Sequence, residues 1–78
     1  MKIIDLIRQK IERVRLHLIT PELIVIDKET ERAMYLDESF SKTDNWETHI
    51  IIDEVKYQLI IKDEPTDIQV YGRQLFTR

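Results

Sequence analysis

The sequence predicts an α+β fold in which an amino-terminal amphipathic helix packs on one face of a small antiparallel β-sheet of about four to five strands, connected as a meander of hairpins. Two observations lead to this prediction. Residues 1–18 carry apolar side chains at helical spacing, and the rest of the chain contains short β-branched runs separated by polar turns. At 78 residues, the chain is expected to form a single domain spanning residues 1–78.

The amino-terminal helix is predicted from one apolar stripe. Its members recur every three or four residues, which places them on one side of a helix: Ile4, Ile7, Ile11, Val14 and Leu18. Leu16 falls opposite the stripe, and the residue before Pro21 avoids helical backbone angles. We therefore expect the helix to end between Arg13 and Leu18.

A β-hairpin is predicted over Trp46–Lys62, because apolar residues alternate on both sides of the acidic pair Asp53-Glu54. With that pair as the turn, one face aligns mostly apolar residues, in the pairs Ile52–Val55, Ile50–Tyr57, Thr48–Leu59 and Trp46–Ile61. Asp-Glu suits a two-residue primed turn poorly, since such turns favour Asn-Gly or Asp-Gly. A four-residue loop over residues 52–55 would keep the same register, so the turn type stays open.

Residues 21–36 allow two predictions. The β-branched run Leu23–Asp27 favours a strand, which would turn at Lys28–Glu31 and return over Arg32–Leu36. The alternative is a helix that begins at Thr20-Pro21-Glu22, where proline takes the first helical position. We favour the hairpin, while the sequence leaves both open.

The hairpin would be apolar on both faces. Leu23 and Val25 would lie on one face with Met34 and Leu36, and the opposite face would be formed by Ile24, Ile26, Ala33 and Tyr35. One short helix covers only one face of a sheet, and soluble monomers rarely expose large apolar patches. The sequence therefore predicts a homodimer or a partner protein on the second face.

The remaining segments are polar loops and a last strand. Residues 37–45 form a polar loop that contains Phe40, and residues 63–67 form a turn. Ile68, Val70 and Leu75 predict the last strand, with Gly72 as a bend or bulge.

Charge is unevenly distributed along the chain, whose net charge is −3. Residues 1–21 carry five basic and two acidic side chains, whereas residues 22–67 carry five basic and thirteen acidic ones. The simplest interpretation is a basic helix lying on an acidic sheet. The chain has no cysteine and no long apolar run, so we expect a cytoplasmic protein without a signal peptide or membrane segment.

Catalytic and metal-binding patterns are weak. His17 and His49 lie on different predicted elements and lack the spacing of metal ligands. The serines carry no nucleophile motif, and acidic pairs such as Asp63-Glu64 lie at loop ends, where they protect sheet edges from pairing. We expect a protein that is not an enzyme and needs no cofactor.

The first functional hypothesis is a small interaction or regulatory protein of the kind found in bacteria and their phages. It would bind a protein partner through the uncovered sheet face or the acidic loops, for example by occupying a nucleic-acid-binding site. The candidate contacts are Ile24, Ile26, Tyr35, Phe40, Asp53 and Glu54.

The alternative hypothesis is a nucleic-acid-binding protein that uses its amino-terminal helix. Its candidate phosphate contacts are Arg8, Lys10, Arg13 and Arg15. The sequence pI of 5.3 and the absence of aromatic residues from this segment favour the first hypothesis.

Overall fold

The structure, a computed structural model, describes residues 2–40 and 46–74. These residues form two helices and four strands, which confirms the α+β class. In order they are α1 (Ile3–Leu16), β1 (Ile19–Asp27), α2 (Lys28–Tyr35), β2 (His49–Ile52), β3 (Val55–Lys62) and β4 (Gln69–Gln74).

The four strands form one mixed sheet in the order β2-β3-β1-β4. Strands β2 and β3 are antiparallel, as are β1 and β4, but β1 and β3 run parallel. The predicted all-antiparallel meander is therefore wrong. The reason is that α2 and β2 lie between β1 and β3 in the chain, so the chain re-enters the sheet centre in its original direction.

Helix α1 forms where the apolar stripe predicts it. Ile4, Ile7 and Ile11 are buried against the sheet, and the helix ends at Leu16, within the predicted range. At the end, the backbone N–H of Leu18 donates to the carbonyl of Arg15 at 3.0 Å. Leu18 itself has left-handed backbone geometry, with φ 59°, as is common just after a helix.

Helix α2 replaces the predicted return strand Arg32–Leu36, so the first hairpin does not exist. The helix begins directly after Asp27, which caps it. The Oδ1 of Asp27 accepts a hydrogen bond from the backbone N–H of Thr30 at 2.7 Å. The predicted strand Leu23–Asp27 is present, as the second half of β1. The alternative helix from Pro21 is also absent, because β1 runs through that proline.

Asp27 holds a second segment as well. Its Oδ2 accepts a hydrogen bond from the backbone N–H of Thr66 at 3.0 Å, in the connection between β3 and β4. This connection must cross the end of β1, since β3 and β4 lie on opposite sides of that strand. One buried carboxylate therefore fixes both the start of α2 and the crossing that places β4 at the sheet edge.

The central hairpin has the predicted register, with Ile52 opposite Val55 and Ile50 opposite Tyr57. The ladder begins at His49, so the predicted Trp46–Ile61 pair lies outside β2, although Trp46 is buried in the core.

The hairpin turn has two central residues with left-handed backbone geometry, Asp53 at φ 51° and Glu54 at φ 69°. It is thus a type I′ turn, in which Asp53 suits the first central position but Glu54 stands where such turns favour glycine.

Replacing Glu54 with glycine is expected to stabilise the fold by about 0.5–1 kcal/mol, because glycine adopts left-handed geometry without steric cost. Urea denaturation measures the change. Glu54→Ala is the control, because alanine keeps the Cβ that causes the cost. Equal stability of the glycine and alanine variants would show that this turn is unstrained.

The core lies between the two helices and one face of the sheet. Side chains from α1, α2 and all four strands contribute, and Phe40 packs edge-on against Trp46 with ring centroids 5.9 Å apart. The buried cluster consists of Ile4, Ile7, Ile11, Ile24, Ile26, Met34, Phe40, Trp46, Ile50, Ile52, Tyr57 and Leu59.

Candidate interaction surface

Both helices cover the same face of the sheet. Ile24 and Ile26 of β1 share the core cluster with residues of α1 and with Met34 of α2, so they point toward the helices. Side chains alternate along a strand, which places Leu23 and Val25 on the opposite face. Among the described residues, no helix lies on that face.

We call this second surface the open sheet face. The strand registers place the alternate residues of all four strands on it, because paired residues share a face. Its members are Leu23, Val25, Asp27, His49, Ile51, Lys56, Gln58, Ile60, Lys62, Gln69, Tyr71 and Arg73.

The centre of the open sheet face is apolar and partly exposed. Val25 pairs with Ile60 across β1 and β3, and Leu23 pairs with Tyr71 across β1 and β4. Val25 is buried by its neighbours, whereas Ile60 is 46% exposed and Tyr71 51% exposed. Ile51 on β2 is a separate apolar side chain of the same face, 44% exposed and paired with Lys56, four residues from Ile60 along β3. These residues present apolar area to water on a surface that has no helix to cover it.

Basic side chains frame this apolar centre. Lys56 and Lys62 lie toward the two ends of β3, and Arg73 lies on β4. The carboxylate of Glu22, at the irregularity in β1, lies 3.7 Å from Arg73. With Asp27 opposite Lys62 and Glu22 beside Arg73, the open sheet face keeps a small excess of positive charge on a chain whose net charge is −3.

Three of the candidate contacts from the sequence are buried. Ile24, Ile26 and Phe40 belong to the core and are therefore out of reach of a partner. Tyr35 is about half exposed, and its ring lies against Trp46 with centroids 4.7 Å apart.

The acidic candidates lie in the exposed turn between β2 and β3. Arg8 donates two hydrogen bonds to Asp53, from Nε to Oδ2 at 3.0 Å and from Nη2 to Oδ1 at 2.9 Å. This pairing lowers the pKa of the Asp53 carboxyl and raises the pKa of the Arg8 guanidinium. Glu54 is the exposed acid beside it.

The four candidate phosphate contacts on α1 divide into two kinds. Arg8 binds Asp53, and Arg15 donates to Glu12 at 3.1 Å, so both charges are compensated within the chain. Lys10 and Arg13 instead line a groove between α1 and β4. The basic helix is thus partly matched by an acidic turn of the sheet, which reduces the charge available to phosphates.

The described titratable side chains bind neighbouring groups and do not form a metal-binding cluster. In the part of the chain that the structure describes, no three histidine or carboxylate side chains lie close enough to hold a metal ion. His17 Nδ1 lies 2.9 Å from the carbonyl of Arg13, and His49 Nδ1 lies 2.7 Å from Thr48 Oγ1. Asp63 is bound by Lys28 at 2.8 Å, which lowers the pKa of that carboxyl.

None of the described helices has the length and apolar character needed to cross a bilayer. No model of a known protein family matches the chain, and neither the curated proteins nor the solved structures contain a significant match to it. Its function must therefore be inferred from its own residues and their contacts.

Proposed function

We propose that this chain is a non-enzymatic interaction protein that binds a protein partner through the open sheet face. The observation that supports the proposal is the apolar group formed by half-exposed Ile60 and Tyr71 with Leu23 and Val25 between them, on a sheet face that the helices leave uncovered. Contiguous exposed apolar side chains with a polar rim are typical of protein interaction sites. Burial of these side chains would supply the binding free energy.

The partner surface should combine apolar side chains with carboxylates. Lys56, Lys62 and Arg73 frame the apolar centre, and charge complementarity at a rim favours the correct partner and speeds its association. Four strands about 4.8 Å apart give the face an area of roughly 400 Å². This is about half of the roughly 800 Å² that each partner contributes to a standard interface. A single amphipathic helix with acidic flanks would fit this area.

The homodimer expected from the sequence would bury the same face against a second copy. Two copies face to face would bring the lysines of β3 close to the same lysines of the second copy, since a two-fold interface uses the same patch twice. Like charges in an interface oppose association. A chemically different, acidic partner is therefore the better fit, and self-association becomes an outcome of the test.

Replacing Ile60 with aspartate tests the proposal. In a pull-down from a lysate of the native host, the variant should retain partner proteins at least about tenfold less well than the wild-type chain. The reason is that a carboxylate would be buried in the apolar contact. Leu36→Asp is the matched control, because Leu36 is 85% exposed at the end of α2, away from the open sheet face. Circular dichroism verifies that both variants fold.

Quantitative mass spectrometry of the retained proteins gives the readout. Proteins held by the wild-type chain and by Leu36→Asp, but lost with Ile60→Asp, would support the proposal. A retained set that Ile60→Asp leaves unchanged would contradict it. Light scattering supplies the solution mass: a dimer that Ile60→Asp dissociates would identify the partner as a second copy, and a dimer that persists would place its interface elsewhere.

A further inference from the structure

Strand β4 leaves one side of its backbone unpaired within the described sheet. The strand order places β4 at an edge, where its only neighbour is β1. Its six residues therefore direct part of their N–H and C=O groups away from the sheet. An open edge of this kind can pair with a strand from another chain.

A groove of about 250 Å³ runs along this edge. On one side it is lined by Lys10, Arg13 and Val14 of α1, and on the other by residues 68–71. Ile68 and Val70 pack against the core on the side of α1, whereas Gln69 and Tyr71 belong to the opposite face, so a cavity that touches all four reaches the edge of the strand. The groove thus adjoins the position that an added strand would take.

The groove is positively charged and has an apolar floor. Lys10 and Arg13 form no ion pair with the described residues, in contrast to Arg8 and Arg15 on the same helix. No described carboxylate lines the groove, and Val14 and Val70 supply apolar surface. An occupant of this groove should therefore carry negative charge and some apolar side chains.

We propose that the open edge of β4 accepts an extended acidic segment of a partner protein as a fifth strand. Main-chain hydrogen bonds to β4 would hold its backbone. Alternate side chains would meet Lys10 and Arg13 in the groove, and the others would extend the open sheet face beside Tyr71. The inference rests on the proposed function in that the ligand is a protein, but it uses a different surface.

Nucleic acid fits the groove less well. Only two uncompensated cations line it, and Tyr71 is the single aromatic side chain of its lining, whereas single-stranded nucleic acid is bound by a series of rings that stack on successive bases. An open strand edge offers hydrogen-bonding groups at the spacing of another polypeptide strand. These features favour an acidic peptide, and a single-stranded oligonucleotide serves as the competing probe.

Amide NMR with synthetic peptides tests the inference. An octapeptide of alternating glutamate and valine is expected to shift the amides of β4 and of α1 around Lys10 saturably, whereas the same peptide with lysine for glutamate should not bind. The double variant Lys10→Glu/Arg13→Glu should weaken binding at least about tenfold, and salt should weaken it as well. The matched control Lys2→Glu/Arg32→Glu makes the same charge change at two exposed sites away from the groove and the open sheet face, and it should bind nearly as well as wild type.

Several results would overturn the inference: no shift along β4 at about 1 mM peptide, equal binding of the lysine peptide, equal loss in the control variant, or stronger binding of an oligothymidine. Failure here is separable from failure of the proposed function. Loss of partners by Ile60→Asp would still support binding through the open sheet face. Conversely, shifts along β4 would support edge binding even if Ile60→Asp retained every partner.

Discussion

Replacing Gly72 with alanine is expected to lower the free energy of unfolding by about 3 kcal/mol or more. A Cβ atom at this position would lie 2.0 Å from the carbonyl oxygen of Thr20 and 2.7 Å from its carbonyl carbon. These are backbone atoms, which cannot move aside as a flexible side chain can. Gly72 pairs with Pro21, next to the register shift in β1, so relief of the clash requires β4 to separate from β1. Urea denaturation measures the loss.

Arg73→Ala is the matched control for this prediction. Arg73 is the next residue of β4, and its exposed side chain contributes only a long ion pair with Glu22, so its removal should change stability little. Gly72→Ala should also abolish the peptide-induced shifts along β4, because the edge would no longer be held beside β1. If the two variants unfolded at the same urea concentration, β1 and β4 would not approach each other as closely at Gly72 as described.

Replacing Asp27 with alanine is expected to lower the melting temperature by roughly 10 °C. The carboxylate accepts hydrogen bonds from Thr30 and Thr66, and its loss leaves the first turn of α2 uncapped and the connection to β4 unanchored. Asp27→Asn keeps one acceptor oxygen and should lie between the wild type and alanine. Thermal unfolding followed by circular dichroism measures all three, and equal melting temperatures for alanine and the wild type would contradict the anchoring role.

Acid should weaken the same interactions. Hydrogen bonds from Thr30 and Thr66 lower the pKa of the Asp27 carboxyl below its ordinary value of 3.8. A group whose pKa is lower in the folded state stabilises the fold above its ordinary pKa, and this stability is lost as the pH falls through the lowered value. The wild type should therefore lose stability between about pH 4 and pH 2. Asp27→Asn should lose less over that interval, and an identical loss would exclude Asp27 as a contributor.

Helix α1 and the central hairpin could be predicted from the sequence because their determinants are local. The spacing of Ile4, Ile7 and Ile11 requires only one face of a helix to be buried. In the hairpin, the apolar pair Ile50–Tyr57 lies a few residues from its turn, so the alternation fixes the register.

The parallel pairing of β1 with β3 could not be predicted in the same way. Val25 pairs with Ile60, but both belong to β-branched runs that could pair with several other runs. No local feature of the sequence identifies which run becomes the neighbouring strand. The sequence does contain a signal for helix α2. Asp27 stands three residues before Thr30, as a capping residue does, and residues with good helix propensity follow it. The β-branched run Ile24–Ile26 directly before it favours a strand, and the sequence therefore predicts a hairpin in place of this helix.

The sequence predicts an uncovered apolar sheet face, but Ile24 and Ile26, two of the candidate contacts, lie on the side of β1 that the helices cover. Alternation correctly separates Leu23 and Val25 from Ile24 and Ile26, and it shows that one helix layer covers only one set. Which set faces the helices depends on how α1 and α2 pack, and this is a property of the whole fold. The sequence therefore indicated an uncovered apolar face without identifying its residues.

Methyl NMR of the isoleucine-, leucine- and valine-labelled chain, titrated with a protein retained in the pull-down, tests the proposed binding surface most directly. Binding through the open sheet face predicts shifts of the Ile51 and Ile60 methyls, with smaller shifts of Val25. The exposed methyls of Leu16 and Leu36, which lie outside that face, should stay unchanged. Shifts of Leu16 or Leu36 without any change at Ile51 and Ile60 would contradict it.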